Sequence, residues 1–473
     1  MDQKRLAEAM VKIVGDKERV ISEELDRMYY SYDASFYTKL EKNLIPDVVV
    51  LPRSTEEVSA IMKFAYENEI PVTPRGAATG ETGGCVPANG GIVLDLSTFD
   101  EIIEVDAANM QCFVRPGVIH AKLNDHLAQF GLTFPPDPGS SAMATVGGMV
   151  ANNSSGLRAV KYGATENYVL GLEIVLPDGE VIITGGEISR AVKSVSGMNI
   201  TKLFVGSEGT LGIVTKVRLR CWPKPKARGL IMAVFDNLED APAAVLDVYQ
   251  SGILPSGIEI LDDSAIYAVN LYKPELNLPP AEAILLYEID GNPASVEWEG
   301  NTIVELCKKR ARQVEFSTEP KRMAALWEGR SVTATAAARV KPEGSRIFAG
   351  EDISVPLNKV TTILTEIKKS AAKYGIKVVL YGHIGDGNVH TAPVIDAERP
   401  EEVEAVKKLT DEIHKKAIAL GGTVSGEHGI GLVRKNYMPA EHGKAVFTMD
   451  AIKKTFDPKN IMNPGKLFVT KEE

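Results

Sequence analysis

The sequence has no apolar run approaching the ~20 residues needed to span a bilayer. Cysteine is scarce, and 4 in 473 residues do not make a disulfide scaffold. The absence of any CxxC pair argues against a thiolate metal site or an iron–sulfur cluster. Positive charge is in deficit, because 53 Lys and Arg against 63 Asp and Glu give a net charge of −10. Such a chain lacks the electrostatic footprint of a general nucleic-acid binder. No apolar h-region follows the N-terminus, so we expect no secretory signal and predict a cytoplasmic location.

The composition is that of a folded protein with several domains. Hydrophobic residues make up 44% and charged residues 25% of the chain, which are typical globular values. Domains commonly have about 150 residues, so a chain of this length is expected to form two or three domains. Apolar spacing predicts a helix over residues 2–29, and a capping box at Ser54–Glu57 opens another. The Pro- and Lys-rich segment 222–228 marks a domain boundary, after which longer strands alternate with helices.

Three segments combine glycine with other small residues: Pro74–Gly84, Pro135–Gly156 and Leu203–Val214. Glycine admits positive φ and lets backbone N–H groups approach an anion closely, so a loop of this kind can wrap a pyrophosphate. For any one segment an ordinary surface loop is the alternative, and the first is not a Walker A loop because no GKS or GKT follows. The three together predict backbone that lies against a cofactor.

Two glycine-bounded segments near the C-terminus carry histidine. Tyr381–His390 reads YGHIGDGNVH, and Ser425–Gly431 reads SGEHGIG. Imidazole and carboxylate ligands suit Zn, Fe or Mn, and three protein ligands leave a position for substrate. One isolated histidine is more often a satisfied core or capping group, but two histidines with a Glu-His pair favour a metal or catalytic site. The other histidines stand alone and are expected to matter little: His120, His126, His414 and His442.

The chain resembles FAD-linked oxidases of the vanillyl-alcohol-oxidase (PCMH) superfamily, and within it the glycolate oxidase flavoprotein subunit and the D-lactate dehydrogenases. PRGAATGETGG, PDPGSSAMATVGGMVANNSSG and LFVGSEGTLGIVT match the FAD segments, YGHIGDGNVH and SGEHGIG the metal and catalytic segments, and NPGK the last flavin contact. The resemblance implies an α+β fold. Residues 1–222 would form an FAD-binding domain of two subdomains, residues 223–425 an antiparallel-sheet substrate cap, and residues 426–473 a return to the FAD domain that completes the active site.

The resemblance also implies how FAD is held. Arg75 to Thr79 would contact the pyrophosphate. Thr79 stands where relatives with covalent flavin carry a histidine, so we expect non-covalent FAD. The residues expected to bind FAD are Pro74, Arg75, Gly76, Ala77, Ala78, Thr79, Gly80, Thr82, Gly83, Pro138, Gly139, Ser140, Ser141, Thr145, Gly147, Gly148, Ala151, Asn152, Ser154, Ser155, Gly156, Glu208, Gly209, Gly212, Ile213, Val214 and Asn463.

By the same resemblance, His383, His390 and Glu427 are ligands of one divalent metal, which is Zn, Fe or Mn, and His428 is the base. In an extended backbone Glu427 and His428 would point to opposite sides, one toward the metal and the other toward the substrate α-carbon. Arg330 follows a tryptophan, as the family's carboxylate arginine does, and would hold the substrate carboxylate in bidentate fashion. A helix-surface salt bridge is the alternative for Arg330.

The implied reaction oxidises a small D-2-hydroxy acid, such as D-lactate or glycolate, to the 2-oxo acid, with transfer of the α-hydrogen to flavin N5. Relatives that oxidise D-2-hydroxyglutarate carry polar or cationic groups for a distal carboxylate, where this chain has Ala334 and about Gly350. No GxGxxG fingerprint lies at a strand–helix junction, so NAD is not expected. Electrons would pass to a separate protein, either an electron-transferring flavoprotein or an iron–sulfur subunit; a quinone or cytochrome is the family's other option.

Two other functions stay open. An alkyl-glycerone-phosphate synthase or an aryl-alcohol oxidase would share the fold but lack the two-histidine and Glu-His set. An electron-transfer or scaffold subunit would bind FAD without a substrate of its own. The presence of His383, His390, Glu427, His428 and Arg330 together argues against both.

Overall fold

A computed structural model describes residues 2–36, 38, 44–341, 345–346 and 352–468. The chain divides into two compact units. The first comprises Met1–Ser155, Ala164–Lys224 and Glu427–Glu473, and the second comprises Gly156–Gly163 and Pro225–Gly426. Within the described ranges, none of the helices combines the length and the apolar character that crossing a membrane requires.

The first unit contains a four-stranded sheet built from the beginning of the chain. Its strands are Val20–Ile21 (β1), Val48–Val50 (β2), Val72–Arg75 (β3) and Ile92–Asp95 (β4). Their order is β1-β2-β4-β3, with β4 parallel to both of its neighbours. The valine run of β2 is buried on both faces, as parallel strands usually are. Helix Thr55–Asn68 packs on this sheet, and Ser54 caps it by accepting a bond from the Glu57 N–H, as the capping box predicted.

The helix predicted over residues 2–29 is wrong beyond its first half. Helix Gln3–Val14 ends at Gly15, which adopts a left-handed φ of 69°. Glycine reaches that conformation without a steric penalty, so it is a common helix terminator. The Asp16 carboxylate then caps a short 3-10 turn, and a second helix forms only over Glu24–Met28. The sequence does have the apolar spacing of a helix, but Gly15 and the cap at Asp16 end the helix before residue 29.

A five-stranded antiparallel sheet forms the other half of the first unit. Its strands are Ile102–Asp106 (β5), Gln111–Val114 (β6), Val169–Val175 (β8), Val181–Ile183 (β9) and Ile213–Arg220 (β10), in the order β5-β6-β10-β8-β9. Leu132–Thr133 (β7) pairs separately with Trp222–Pro223 (β11). The helices of this half and of the C-terminal segment are His120–Ala128, Val146–Asn152, Thr201–Phe204, Met438–His442 and Ala445–Phe456. The C-terminal segment is tied in where the Asn463 N–H donates to the Val72 carbonyl.

The second unit is built on one eight-stranded antiparallel sheet. Its strands are Ala227–Phe235 (β12), Gly257–Asp262 (β13), Ala283–Gly291 (β14), Gln313–Ser317 (β15), Ser345–Arg346 (β16), Asp352–Ser354 (β17), Lys377–Gly382 (β18) and Asn388–Ile395 (β19). The order is β15-β12-β14-β13-β18-β19-β16, and β17 pairs with β19. Its helices are Ala159–Tyr162, Asp240–Gln250, Asp263–Tyr272, Pro293–Cys307, Pro320–Ala336, Val360–Tyr374 and Pro400–Ala419. The predicted α+β class with an antiparallel-sheet cap is confirmed.

Residues 156–163 join the second unit through charged side chains. The Arg158 guanidinium donates to both Glu288 carboxylate oxygens at 2.7 and 2.8 Å. The Lys161 ammonium donates to the Asp290 carboxylate at 2.7 Å. Because Glu288 and Asp290 both lie on β14, the two ion pairs fix this segment along one strand of the sheet.

Candidate active site

His383 and His390 lie at the turn between β18 and β19. His383 directly follows β18, and His390 lies within β19. The turn closes at Gly387, which has φ 77° and whose added Cβ would lie 2.0 Å from the Val355 carbonyl oxygen, so only glycine fits. The two imidazole centroids are 4.9 Å apart, with both side chains at most 10% exposed. The structure therefore brings this predicted pair together.

Glu259, on β13, contacts both His383 and Arg330. Its carboxylate oxygens lie 2.5 Å from His383 Nδ1 and 2.5 Å from Arg330 Nε, and its side chain is 0% exposed. The Arg330 guanidinium, 12% exposed, also stacks 4.8 Å from the Tyr381 ring centre. The helix-surface salt bridge considered for Arg330 is wrong, because its ion pair is buried. Among the described residues, neither Nη atom of Arg330 has a hydrogen-bond partner, which leaves a cationic edge suited to a carboxylate.

A buried aspartate lies beside His390. Asp352 pairs with His390 across β17 and β19, and its Oδ1 is 3.8 Å from His390 Nδ1. The Asn388 amide donates to the same oxygen at 2.6 Å, and the Ser425 hydroxyl donates to Oδ2 at 3.2 Å. Asp352 and Glu259 each place a carboxylate next to one of the two imidazoles, which is the usual environment of metal-binding histidines. The donor set of this unit thus fits a divalent metal.

In the first unit, the backbone of the Glu427-His428 segment is fixed by two residues that we expected to contact FAD. The Glu208 carboxylate accepts the N–H groups of Ile430 and Gly431, each at 2.7 Å. The Asn152 amide donates to the Glu427 carbonyl at 2.8 Å. Burial raises the pKa of Glu208. The side chains of Glu208 and Asn152 therefore support the segment that carries the predicted base.

The expected divergence of the Glu427 and His428 side chains is wrong. Residues 426–428 form a bend rather than an extended strand, and His428 Nε2 lies 3.7 Å from Glu427 Oε1. The other ring nitrogen, Nδ1, lies 3.5 Å from a carboxylate oxygen of Glu81 in the first glycine-rich loop. Glu81 thus becomes a candidate partner of the base.

The first glycine-rich loop offers backbone donors to an anion. Ala78 adopts a left-handed φ of 56°, although it is not glycine. Among the residues that the structure describes, the N–H groups of residues 76–80 have no hydrogen-bond partner. Successive free N–H groups around a left-handed residue are typical of loops that bind phosphate. The loop therefore fits the pyrophosphate of FAD.

Most of the predicted FAD-binding residues lie in the first unit, and Gly156 alone belongs to the second. Several of their side chains are engaged with protein groups. The Arg75 guanidinium donates to the carbonyls of Tyr29, Tyr30 and Tyr32, and the Asn463 amide donates to those of Gly84 and Glu208. These two residues shape the loops around the predicted cofactor site, and their contact with FAD stays a prediction.

His120 has hydrogen-bond partners that its isolated position in the sequence did not predict. Asn124 Oδ1 accepts the Phe134 N–H, which fixes its amide so that Nδ2 donates to His120 Nε2 at 2.9 Å. The His120 proton then resides on Nδ1, which donates to the Ser141 hydroxyl at 2.7 Å. Burial lowers the pKa of His120, which keeps the ring neutral. His120 thus orients the hydroxyl of Ser141, a predicted FAD-binding residue.

The predicted site residues are divided between the two units. Arg330, His383 and His390 belong to the second, whereas Glu427 and His428 belong to the first. Of the two positions used to argue for a small substrate, Ala334 lies on helix Pro320–Ala336 and packs against the core, and Gly350 lies outside the described residues. Sequence reasoning missed Glu259, Asp352 and Glu81. An acidic residue inside the apolar strand GIEILD was a signal for Glu259.

Comparison with known proteins defines the class. The FAD binding domain family matches residues 46–185, and the family of FAD linked oxidases, C-terminal domain, matches residues 224–467. A crystal structure of p-cresol methylhydroxylase with bound substrate superimposes with a TM-score of 0.81 at 16% identity, covering 99% of this chain and 97% of that one. At that identity the likeness shows the fold alone. The fold and the domains are those of an FAD-dependent oxidoreductase.

Proteins of similar sequence identify the branch of this class to which the chain belongs. The chain is 38% identical over 471 residues to the glycolate oxidase subunit GlcD of Bacillus subtilis, covering 99% of this chain and 97% of the relative. It is 34% identical over 470 residues to a D-lactate dehydrogenase of Anaerostipes hadrus, covering 96% of each. The chain belongs to the FAD-linked oxidases of the PCMH superfamily, in the branch of glycolate oxidase subunits and D-lactate dehydrogenases, as the motifs predicted.

FAD should be released in full when the protein is denatured by acid. We expect non-covalent FAD, because relatives with covalent flavin attach it through a histidine in the first glycine-rich loop. This chain has Thr79 at that position, which offers no imidazole. The measurement is flavin absorbance in the supernatant and in the acid precipitate, with the protein-bound flavin of the native sample as the reference. Flavin that remains in the washed precipitate would show a covalent bond through another residue.

Proposed function

We propose that the protein oxidises a small D-2-hydroxy acid, D-lactate or glycolate, to the 2-oxo acid and passes the electrons to a separate protein. The observation that carries this proposal is the buried cationic edge of Arg330. Its Nε is held by Glu259 and its Nη atoms lack a partner among the described residues, beside the His383–His390 pair. A carboxylate binder next to two metal-type ligands suits a substrate that carries a carboxylate and a neighbouring hydroxyl.

Bound FAD would accept the α-hydrogen with its electron pair, and a divalent metal on His383, His390 and Glu427 would lower the pKa of the substrate hydroxyl. Arg330 binds the carboxylate through Nη1 and Nη2, because Glu259 occupies Nε. His428 accepts the hydroxyl proton at Nε2. The Glu81 carboxylate, 3.5 Å from Nδ1, favours a proton on that nitrogen and stabilises the imidazolium that forms. The C–O bond of the substrate becomes the carbonyl of the 2-oxo acid.

Anaerobic addition of D-lactate or glycolate to the purified protein should bleach the yellow flavin absorbance. Oxidation of the substrate reduces the flavin, and without oxygen or an acceptor the reduced form accumulates. L-Lactate, the enantiomer of one candidate, is the matched control and should leave the flavin oxidised. Unchanged absorbance with a panel of 2-hydroxy acids would instead favour an electron-transfer or scaffold subunit.

The state of the cysteines in this chain supports a separate electron acceptor. Its four cysteines, Cys85, Cys112, Cys221 and Cys307, are free thiols, and burial raises the pKa of Cys85 and of Cys307 to about 11, which keeps these two protonated. We propose an electron-transferring flavoprotein or an iron–sulfur subunit as the acceptor. Copurification from the native source, followed by reoxidation of the reduced flavin by the copurified protein, tests this pairing. A cytoplasmic location stays a prediction from the sequence.

A further inference from the structure

Glu259 is an acidic residue in the middle of a sheet. It lies on β13, which is flanked by β14 and β18, and its neighbours in sequence, Ile258 and Ile260, are buried. Removing a carboxylate from water is costly unless hydrogen bonds and an opposite charge compensate it. Here each carboxylate oxygen has its own strong donor, one from His383 and one from Arg330. Two predicted functional groups therefore depend on a single carboxylate.

We propose that Glu259 is a positioning residue that couples metal binding at His383 to substrate binding at Arg330. This inference rests on the function proposed above. Oε1 lies 2.5 Å from His383 Nδ1, a distance at which Nδ1 donates its proton to the carboxylate. In that tautomer the lone pair of the imidazole resides on Nε2, which is the nitrogen through which the ring can act as a metal ligand. Glu259 thus selects the tautomer of His383 and makes the ring a stronger ligand.

The second oxygen of Glu259 determines how Arg330 meets a carboxylate. Arg330 Nε donates to Oε2 at 2.5 Å, so the side of the guanidinium that includes Nε is occupied. A substrate carboxylate can only bind across Nη1 and Nη2. Stacking on the Tyr381 ring, at 4.8 Å, holds the guanidinium plane in the same orientation. Because both contacts use one rigid carboxylate, a displacement of either partner is transmitted to the other.

Glutamine cannot replace Glu259 in this arrangement. Its amide has one acceptor oxygen and one donor nitrogen, so one of the two N–H donors would face another donor. Aspartate keeps both acceptors and the charge, but it is one methylene shorter and reaches less far. Glu259→Gln should therefore disturb both His383 and Arg330, and Glu259→Asp should lie between it and the wild type.

The test uses the FAD-loaded protein, stripped of metal by dialysis against a chelator and titrated with Zn²⁺ in competition with a chromophoric chelator. Glu259→Gln should bind Zn²⁺ about 10–100-fold more weakly than the wild type. The same variant should show a raised KM for D-lactate with unchanged FAD content and absorbance. Arg330→Lys should raise KM as well, since it loses the planar fork, but should weaken Zn²⁺ binding less than Glu259→Gln does, because the Glu259–His383 contact remains.

Glu288→Gln is the matched control. It removes the charge of another carboxylate that bonds an arginine, on the neighbouring strand β14, and it should leave Zn²⁺ affinity and KM unchanged. Values for Glu259→Gln and Glu259→Asp within about twofold of the wild type would overturn the inference and leave the proposed function standing. A wild-type protein that neither retains metal nor is bleached by any hydroxy acid would overturn the proposed function and this inference together.

Discussion

Substitution of His428 by asparagine is expected to lower turnover by about 10²–10⁴-fold and to leave FAD and metal bound, if general-base catalysis follows its usual range. Asparagine keeps a polar side chain of similar reach, but it cannot accept a proton near neutral pH. Glu208 and Asn152 hold the backbone of this segment independently of the imidazole, so we do not expect the loop to rearrange. Steady-state turnover, flavin absorbance and elemental analysis on one preparation give the three readouts.

Glu427→Gln provides the contrast with His428→Asn. It removes an anionic metal ligand and should weaken metal occupancy, while the imidazole base remains. His442→Asn is a matched control for the histidine substitution, because His442 is a partly exposed residue paired with its neighbour Glu441 and should be replaced without loss of activity. Loss of metal in His428→Asn with metal retained in Glu427→Gln would mean that the two roles are reversed.

Removal of the metal should abolish hydroxy-acid oxidation and leave the flavin spectrum in place. The expected FAD donors are backbone N–H groups of the first unit, and they do not depend on the two imidazoles. Without the metal, the substrate hydroxyl keeps an alcohol pKa, far above that of any imidazole base. Dialysis against a chelator, elemental analysis and an activity assay on the same sample measure the effect. Re-addition of Zn, Mn, Fe or Co should restore activity to differing degrees, since imidazole and carboxylate donors accept all four.

The chelation experiment needs two controls. The flavin content must stay constant, so that lost activity is not lost FAD. The chelator must also be removed before assay, because a carboxylate-rich chelator can occupy the Arg330 edge. Full activity in a preparation shown to be metal-free would exclude a metal from the reaction, and His383 and His390 would then be structural residues.

The sequence motifs predicted the family correctly, whereas apolar spacing did not predict where the first helix ends. The glycine-rich and histidine segments identified the superfamily and branch, and that resemblance in turn implied the antiparallel-sheet cap. The prediction of one helix over residues 2–29 was wrong because apolar spacing takes no account of a helix terminator such as Gly15. The orientation of Glu427 relative to His428 was wrong because alternation of side chains holds only in an extended backbone, and the segment bends.

The sequence by itself determined the family, the FAD cofactor and the residue types available for chemistry, because the small-residue loops and the histidine segments are contiguous in the chain. Only the tertiary structure decided which side chains meet. Glu259 is 71 residues from Arg330 and 124 from His383, yet it bonds both. Such contacts depend on the order of β13, β14 and β18 in the sheet and on helix Pro320–Ala336, whose Leu326 shares a core cluster with these strands. Strand order and register are set by the packing of the whole sheet, so no local pattern encodes them.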